Sequence, residues 1–269
     1  MAGKTCLITG ANSGIGKETA LGVARLGAHV VMVCRNKQKG ESAMEEIIRE
    51  TGDNSVELLL ADLASLQEVR ELAAQVVGRY EHLEVLVNNA GLFGVGLNRT
   101  VDGFERTVAV NYLAPFLLTN LLLDSLKGSA PSRIVNVASV AHKGGHIDFG
   151  NFGRGKSARA YSNSKLALIL FTYELARRLE GTRVTVNCLH PGVVATNLWR
   201  VPSRLTSLFM VSAREGADTP IFLASSPEIE GATGKYFHKR ASEKSSSASY
   251  DEHVAERLWQ LSAQLVGLD

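Results

Sequence analysis

The chain has 269 residues and a mass of 29.0 kDa, long enough for one large domain with a substantial core. Hydrophobic residues at 45% and charged residues at 21% are ordinary for a soluble globular protein. A formal net charge of +2 gives no reason to expect nucleic acid or an acidic membrane as a partner.

The first apolar run, Thr5–Thr9, reads as a strand and begins almost at once, which leaves no room for a signal peptide or membrane anchor. A turn rich in glycine follows, then a helical pattern over residues 14–26. Strand-like runs at His29–Cys34, Val56–Leu60 and Val85–Asn88 alternate with helical patterns over Lys37–Thr51 and Leu66–Arg79. A long helical pattern covers 101–127. Its apolar centre, 113–126, contains Pro115, Asn120 and Asp124. That stretch is too short and too interrupted to span a bilayer, so no integral membrane segment is expected and a buried helix is. Strands at 133–138 and 183–189 flank a helix over 158–179, and a short strand lies near 235–237. Residues 239–250, rich in serine and charge, read as a surface loop. Val254, Leu258, Leu261 and Leu265 then stand at helical spacing in a tail helix over 251–266. Continuous apolar strands separated by helices predict an α/β fold: a mostly parallel, seven-stranded sheet with helices on both faces. No linker or repeat divides residues 1–269, so a single domain is expected. Cys6, Cys34 and Cys188 each lie in or beside an apolar run and read as reduced, buried thiols of a cytoplasmic protein. No Cys/His grouping has the spacing of a zinc site, so no metal is expected.

Four motifs carry chemistry. In Thr9-Gly10-Ala11-Asn12-Ser13-Gly14-Ile15-Gly16 the glycines follow a strand and open a helix, where a backbone can approach a pyrophosphate favoured by the helix N-terminus. A P-loop fails at Ala11 and Glu18, which stand where glycine and serine or threonine are required. Sites for NAD place an acid about 20 residues beyond the glycines. Here that region reads Cys34-Arg35-Asn36-Lys37, with no acid before Glu41. Arg35 can hold a 2′-phosphate, which favours NADP (NADPH) over NAD. Asn88-Asn89-Ala90-Gly91 is the second motif, and Ser139 the third. The fourth is Tyr161-Ser162-Asn163-Ser164-Lys165. Four residues apart on a helix, Tyr161 and Lys165 share one face. A cation about 4 Å from a phenol is worth roughly 4 kcal/mol at an intermediate dielectric, or about three pKa units. That lowering is the shift an acid–base tyrosine needs.

Taken in this order, the motifs resemble the classical short-chain dehydrogenase/reductase family over nearly the whole chain. The resemblance implies a Rossmann-type doubly wound fold and hydride transfer between a nicotinamide cofactor and a carbonyl or alcohol. It assigns Tyr161 as acid and base, Lys165 to tune it and bind ribose, Ser139 to the substrate oxygen, and Asn111 to a kink supporting a proton relay. It implies cofactor contacts from Gly10, Asn12, Ser13, Gly14, Ile15, Gly16, Arg35 and Asn36. Further contacts fall on Asp62, Leu63, Asn89, Ala90, Gly91 and the loop Pro191-Gly192-Val193-Val194-Ala195-Thr196. The alternative is a protein that binds NADP(H) as a sensor or scaffold without turnover. Loss of Tyr161 or Lys165 would point there, and neither is lost.

Ala141-His142 after the serine, the long interval from Ser139 to Tyr161, and the ending from Arg257 resemble the retinol-dehydrogenase-like branch. Relatives in that branch often carry an N-terminal membrane anchor, which is not expected here, so a retinoid substrate is not carried over. His142, Lys143 and His146 read as a solvated substrate-side loop. A covering segment at about 193–215 places Trp199, Leu205 and Phe209 over the substrate, and its apolar character favours a small lipophilic carbonyl or alcohol. A homo-oligomer is compatible with this reading.

Overall fold

The computed structural model describes residues 1–93, 99–154, 159–192 and 211–268. Strands β1 (Thr5–Thr9), β2 (His29–Cys34), β3 (Val56–Leu60) and β4 (Val85–Asn88) alternate with helices α1 (Gly14–Ala24), α2 (Lys37–Thr51) and α3 (Leu66–Arg79). A one-turn helix α4 (Arg106–Val108) runs through a π turn, Ala109–Leu113, into α5 (Ala114–Gly128). Strand β5 (Ser132–Val137), helix α6 (Ala160–Arg178) and strand β6 (Val184–His190) follow. The chain ends with α7 (Ala213–Ser225), β7 (Tyr236–His238), β8 (Ala241–Glu243) and α8 (Glu252–Val266).

The strands form one sheet in the order β3-β2-β1-β4-β5-β6-β7-β8, parallel up to β7. The order reverses between β1 and β4, and ligands in such sheets bind at that crevice, beyond the carboxyl ends of the strands. Alternation along each strand divides the core. Leu7, Val31, Leu86 and Ile134 pack beneath α3, α5 and α6, whereas Cys6, Ile8, Met32 and Val135 face α1, α2 and α7. Helix α8 closes the first layer. Its Trp259 sits edge-on to Phe116 at 5.1 Å, and the Tyr112 hydroxyl meets Ser262 Oγ at 2.7 Å. Cys6, Cys34 and Cys188 are free and buried.

The expected architecture holds, with differences in detail. The sheet has an eighth strand: Ala241–Glu243 pairs antiparallel with β7 inside the stretch expected to be loop. All three of its residues are exposed, so no apolar alternation marks it. Helix α7 has no counterpart among the expected elements, and it carries Pro220 in its interior, where a backbone donor is missing. Ile221 fills the space directly over Gly22 of α1, and this packing offsets the missing backbone bond. The clue was its capping box, in which Ser212 and Glu215 bond each other's backbone N–H. Residues 106–128 form a helical stretch long and apolar enough to cross a membrane by length and composition, more than the 113–126 expected. Its apolar window is 78% buried inside the fold, so it serves here as a core helix.

Candidate active site

A cleft of about 950 Å³ opens at the sheet's switch point, over the carboxyl ends of β1, β4, β5 and β6. Its floor is the turn between β1 and α1. Gly10 has a φ of +68°, and a Cβ on Gly16 would collide with the Gly10 carbonyl, so the turn closes only with glycine at both places. Ser13 precedes α1 without capping it through its side chain, and the first turn carries no acid. The N–H groups there are open to an anion. Asn12, Gly14 and Ile15 complete this wall of the cleft.

Asn89 fixes the turn to β4: its Nδ2 donates to the Thr9 carbonyl at 2.8 Å, and Thr9 Oγ1 accepts the N–H groups of Asn89 and Ala90 at 3.0 Å each. Thr9 was not singled out in the sequence. Ala90, Gly91, Asp62 and Leu63 line the same cleft. Arg35 follows β2 with its side chain 61% exposed and its guanidinium 3.4 Å from Asp62, which Arg106 approaches at 3.5 Å. Two cations thus share one carboxylate. The side-chain oxygen of Asn36 caps α2 by accepting the Lys39 N–H at 2.9 Å, and Asn36 stands apart from the lining of the cleft.

At the opposite end, Ser139 follows β5, and Tyr161 and Lys165 lie one turn apart on α6. Ser139 and Tyr161 line the same wall of the cleft, and Ser139 Oγ accepts the Ala141 N–H at 3.2 Å. Lys165 is 4% exposed; its ammonium lies 5.8 Å from the centre of the Tyr161 ring and donates to the Val137 carbonyl at 2.7 Å. Burial lowers the Lys165 pKa to about 8. Contrary to the lowering expected from the spacing, the Tyr161 phenol is pushed up: burial dominates, the neighbouring Ser139 side chain only partly opposes it, and Lys165 donates to a carbonyl. Phe93 meets the Tyr161 ring edge-on at 5.1 Å and joins the cleft wall, a contact the sequence did not signal.

Asn111 lies in the π turn, fully buried. Its Oδ1 accepts the Leu92 N–H at 2.8 Å, and its Nδ2 donates to the Leu92 carbonyl at 3.0 Å and to Ser164 Oγ at 3.1 Å. Ser164 in turn donates to the Tyr161 carbonyl at 2.7 Å. A Cβ built on Gly91 would lie 3.5 Å from both Asn111 Oδ1 and Lys165 Nζ, which places Asn111 beside the Tyr161–Lys165 pair.

His142 departs from expectation. Lys143 and His146 are exposed, but His142 is fully buried beneath Ser139. His190 also escaped notice in the sequence. It lines the cleft beside Pro191 and Gly192, stacks on His238 at 5.3 Å, and its pKa is lowered to about 4, first by burial and then by the neighbouring His238, His142 and Lys143. Val194, Thr196, Trp199, Leu205 and Phe209 lie outside the described residues. Among the described residues no group of three His, Cys, Asp or Glu side chains could hold a metal ion.

Comparison with known proteins agrees with this arrangement. The family model for short chain dehydrogenases matches residues 4–204. Human retinol dehydrogenase 13 is 45% identical over 99% of this chain and 86% of its own length. For human retinol dehydrogenase 14 the identity is 47%, over 100% of this chain and 88% of that protein. A crystal structure of a protein from Mycobacterium paratuberculosis superposes with a TM-score of 0.82 at 35% identity, covering 99% of this chain and 94% of that one. A short chain dehydrogenase from Escherichia coli CFT073, complexed with NADPH, gives 0.74 at 27% identity over 90% and 98%. With motifs, sheet order and cleft in agreement along its whole length, the chain belongs to the short-chain dehydrogenase/reductase family of oxidoreductases, in its retinol-dehydrogenase-like branch.

Proposed function

We propose that this protein is an NADP(H)-dependent oxidoreductase that interconverts a lipophilic aldehyde or ketone with its alcohol. The observation that carries this reading is the juxtaposition of Ser139 and Tyr161 on one wall of the cleft, with the buried Lys165 ammonium behind the tyrosine ring. The glycine turn, with its open N–H groups, fits a pyrophosphate. Arg35 and Arg106 fit the extra phosphate that distinguishes NADP from NAD. The E. coli relative complexed with NADPH supports the same cofactor. Nicotinamide, when bound, gives a hydride to the carbonyl carbon or takes one from the alcohol carbon.

Ser139 holds the substrate oxygen, and Tyr161 delivers a proton to it as the C=O π bond breaks and an O–H bond forms. Lys165 is mostly ammonium at pH 7. At 5.8 Å from the ring centre it favours the developing phenolate by roughly 3 kcal/mol at an effective dielectric of 20. It would also hold the ribose. The Asn111 side chain has its hydrogen bonds committed to Leu92 and Ser164, so its part in a proton relay falls to the backbone of the π turn. Phe93 and the apolar residues Trp199, Leu205 and Phe209 favour a lipophilic substrate, and retinal is one candidate because the relatives are named retinol dehydrogenases. Free, buried cysteines suit a reducing compartment such as the cytosol.

NADPH oxidation measured against a panel of aldehydes and ketones, retinal included, tests the proposal. Turnover rising with apolar chain length is the expected result. Tight NADPH binding with no turnover on any member would favour the sensor or scaffold.

A further inference from the structure

Residues 245–250 look from sequence like solvated loop, yet they bond to both elements of the reacting wall. The imidazole of His142 is fully buried. Its Nδ1 lies 2.7 Å from the Ser139 carbonyl, and its Nε2 lies 3.0 Å from the backbone nitrogen of Ser246. A backbone N–H can only donate, so Nε2 must accept and carries no proton. The proton therefore sits on Nδ1 and is donated to Ser139. The same carbonyl accepts the His142 N–H at 3.1 Å, which closes the turn after β5.

The next residue back leads to the other element. Ser245 Oγ is 2.7 Å from the hydroxyl of Tyr173 on α6, the helix that carries Tyr161 and Lys165. The Ser245 N–H donates to the Tyr250 hydroxyl at 3.1 Å. Two adjacent C-terminal residues thus fasten the backbone of Ser139 on one side and the helix of Tyr161 on the other. The Ser246 hydroxyl is buried with no partner among the described residues and its carbonyl accepts from Ser249, so toward His142 this residue contributes through its N–H.

We propose that His142 is a positioning residue, fixing Ser139 against Tyr161 from the Ser245–Ser246 corner. A histidine that only filled space against the Tyr236 ring, 5.2 Å away, would need no defined tautomer. Ser139 follows β5 and opens a short 3-10 turn. Its Oγ accepts the Ala141 N–H at 3.2 Å, so the hydroxyl moves with the backbone of that turn, and a misplacement of about 1 Å at a reacting centre can cost on the order of a hundredfold in rate. The kinetic part of this proposal rests on the oxidoreductase reading above, and the structural part does not.

Two measurements on the full chain test it. Nitrogen-15 NMR reads the His142 tautomer without any substrate, and hydrogen exchange reads protection of the Ser246 amide. The proton is expected on Nδ1 and the amide protected; a proton on Nε2 overturns the proposal whatever the assays show. Kinetics then separate the two bonds. His142→Gln can still reach Ser246 but lacks the donor to Ser139, so kcat should fall roughly tenfold or more with NADPH affinity unchanged within about twofold. His142→Asn places an amide nitrogen where Nδ1 stands, restoring kcat to within about threefold of wild type while exposing the Ser246 amide to exchange. Equal losses in both variants, or losses carried by NADPH affinity, would reduce His142 to packing. Tyr161→Phe measured alongside separates the two proposals: retained turnover there removes the acid assignment but leaves the tautomer and exchange results standing on their own.

Discussion

The two ends of the cleft use charge in opposite ways. At the reacting end, Lys165 is 4% exposed and Asn111 fully buried, and the side chains of both are hydrogen-bonded within the protein. At the adenosine end the Arg35 side chain is 61% exposed and shares Asp62 with Arg106. Charges in a dry site interact several times more strongly than charges in water, and exposed pairs are further weakened by salt. Chemistry is thus placed where a single group counts heavily, and cofactor discrimination where a single group counts little.

The largest effect should come from the dry end. Tyr161→Phe keeps the ring against Phe93 and removes only the transferable proton, so kcat should fall by roughly 10²–10⁴ while NADPH affinity stays within a few fold. Steady-state kinetics and a fluorescence titration of NADPH decide it, and unchanged turnover would break the contrast at its stronger end.

Lys165→Met comes next, because it should impair both turnover and cofactor affinity and also change the response of stability to pH. The folded pKa is about 8 against a usual 10.5, so between those values the unfolded chain binds a proton that the folded chain lacks. Unfolding free energy therefore rises with pH across that window, since the cost of burying the amine is full below about pH 8, shrinks through the window and is gone above 10.5. The variant lacks this dependence. Urea melts at pH 7.5, 9 and 10.5 should show wild type gaining on the variant by a few kcal/mol at most, on the order of 1.4 kcal/mol per unit of pKa shift. A constant gap would mean that Lys165 is not desolvated.

The smallest effect belongs to the wet end. A charge-assisted hydrogen bond contributes about 1.5–3 kcal/mol, and exposure keeps Arg35 near the lower figure, so NADPH should be preferred over NADH by roughly tenfold. Arg35→Asp should move the preference toward NADH. Lys37 and Lys39 leave the reversal incomplete, and added salt should narrow the wild-type preference. Equal affinities for the two cofactors would mean that Arg35 only faces water.

What could be read in the sequence follows the same division between local and distant causes. Cys6, Leu7 and Ile8 are apolar in succession because both faces of β1 are covered, and Gly10 is required by its own backbone angle. Tyr161 and Lys165 needed only a helical repeat to share a face. The failures lie where partners are far apart in the chain. His142 looks solvated until Ser246, 104 residues later, supplies its second bond. Helix α7 carries Pro220, and only packing against α1 shows why a helix persists there. Ala241–Glu243 is a strand solely because β7 lies alongside. Tyr161 shows the same limit in its electrostatics: spacing displayed the cation, whereas burial, which pushes the phenol up, is a property of the assembled fold.

The π turn at Ala109–Leu113 carries a consequence for how this chain can change its length. Such a turn holds one residue more than the α-helical register around it. Deleting a single residue there would let α4 and α5 join as one regular helix, with little local damage and a well-folded product. The helices on either side would keep their orientation, because the wide turn is what absorbs the extra residue, but the backbone that carries Asn111 would close up and draw it away from Leu92 and Ser164. Most one-residue deletions in a helix are purged because they harm folding. At this position the helix would be improved and the site lost, so only selection for activity can keep the extra residue in place.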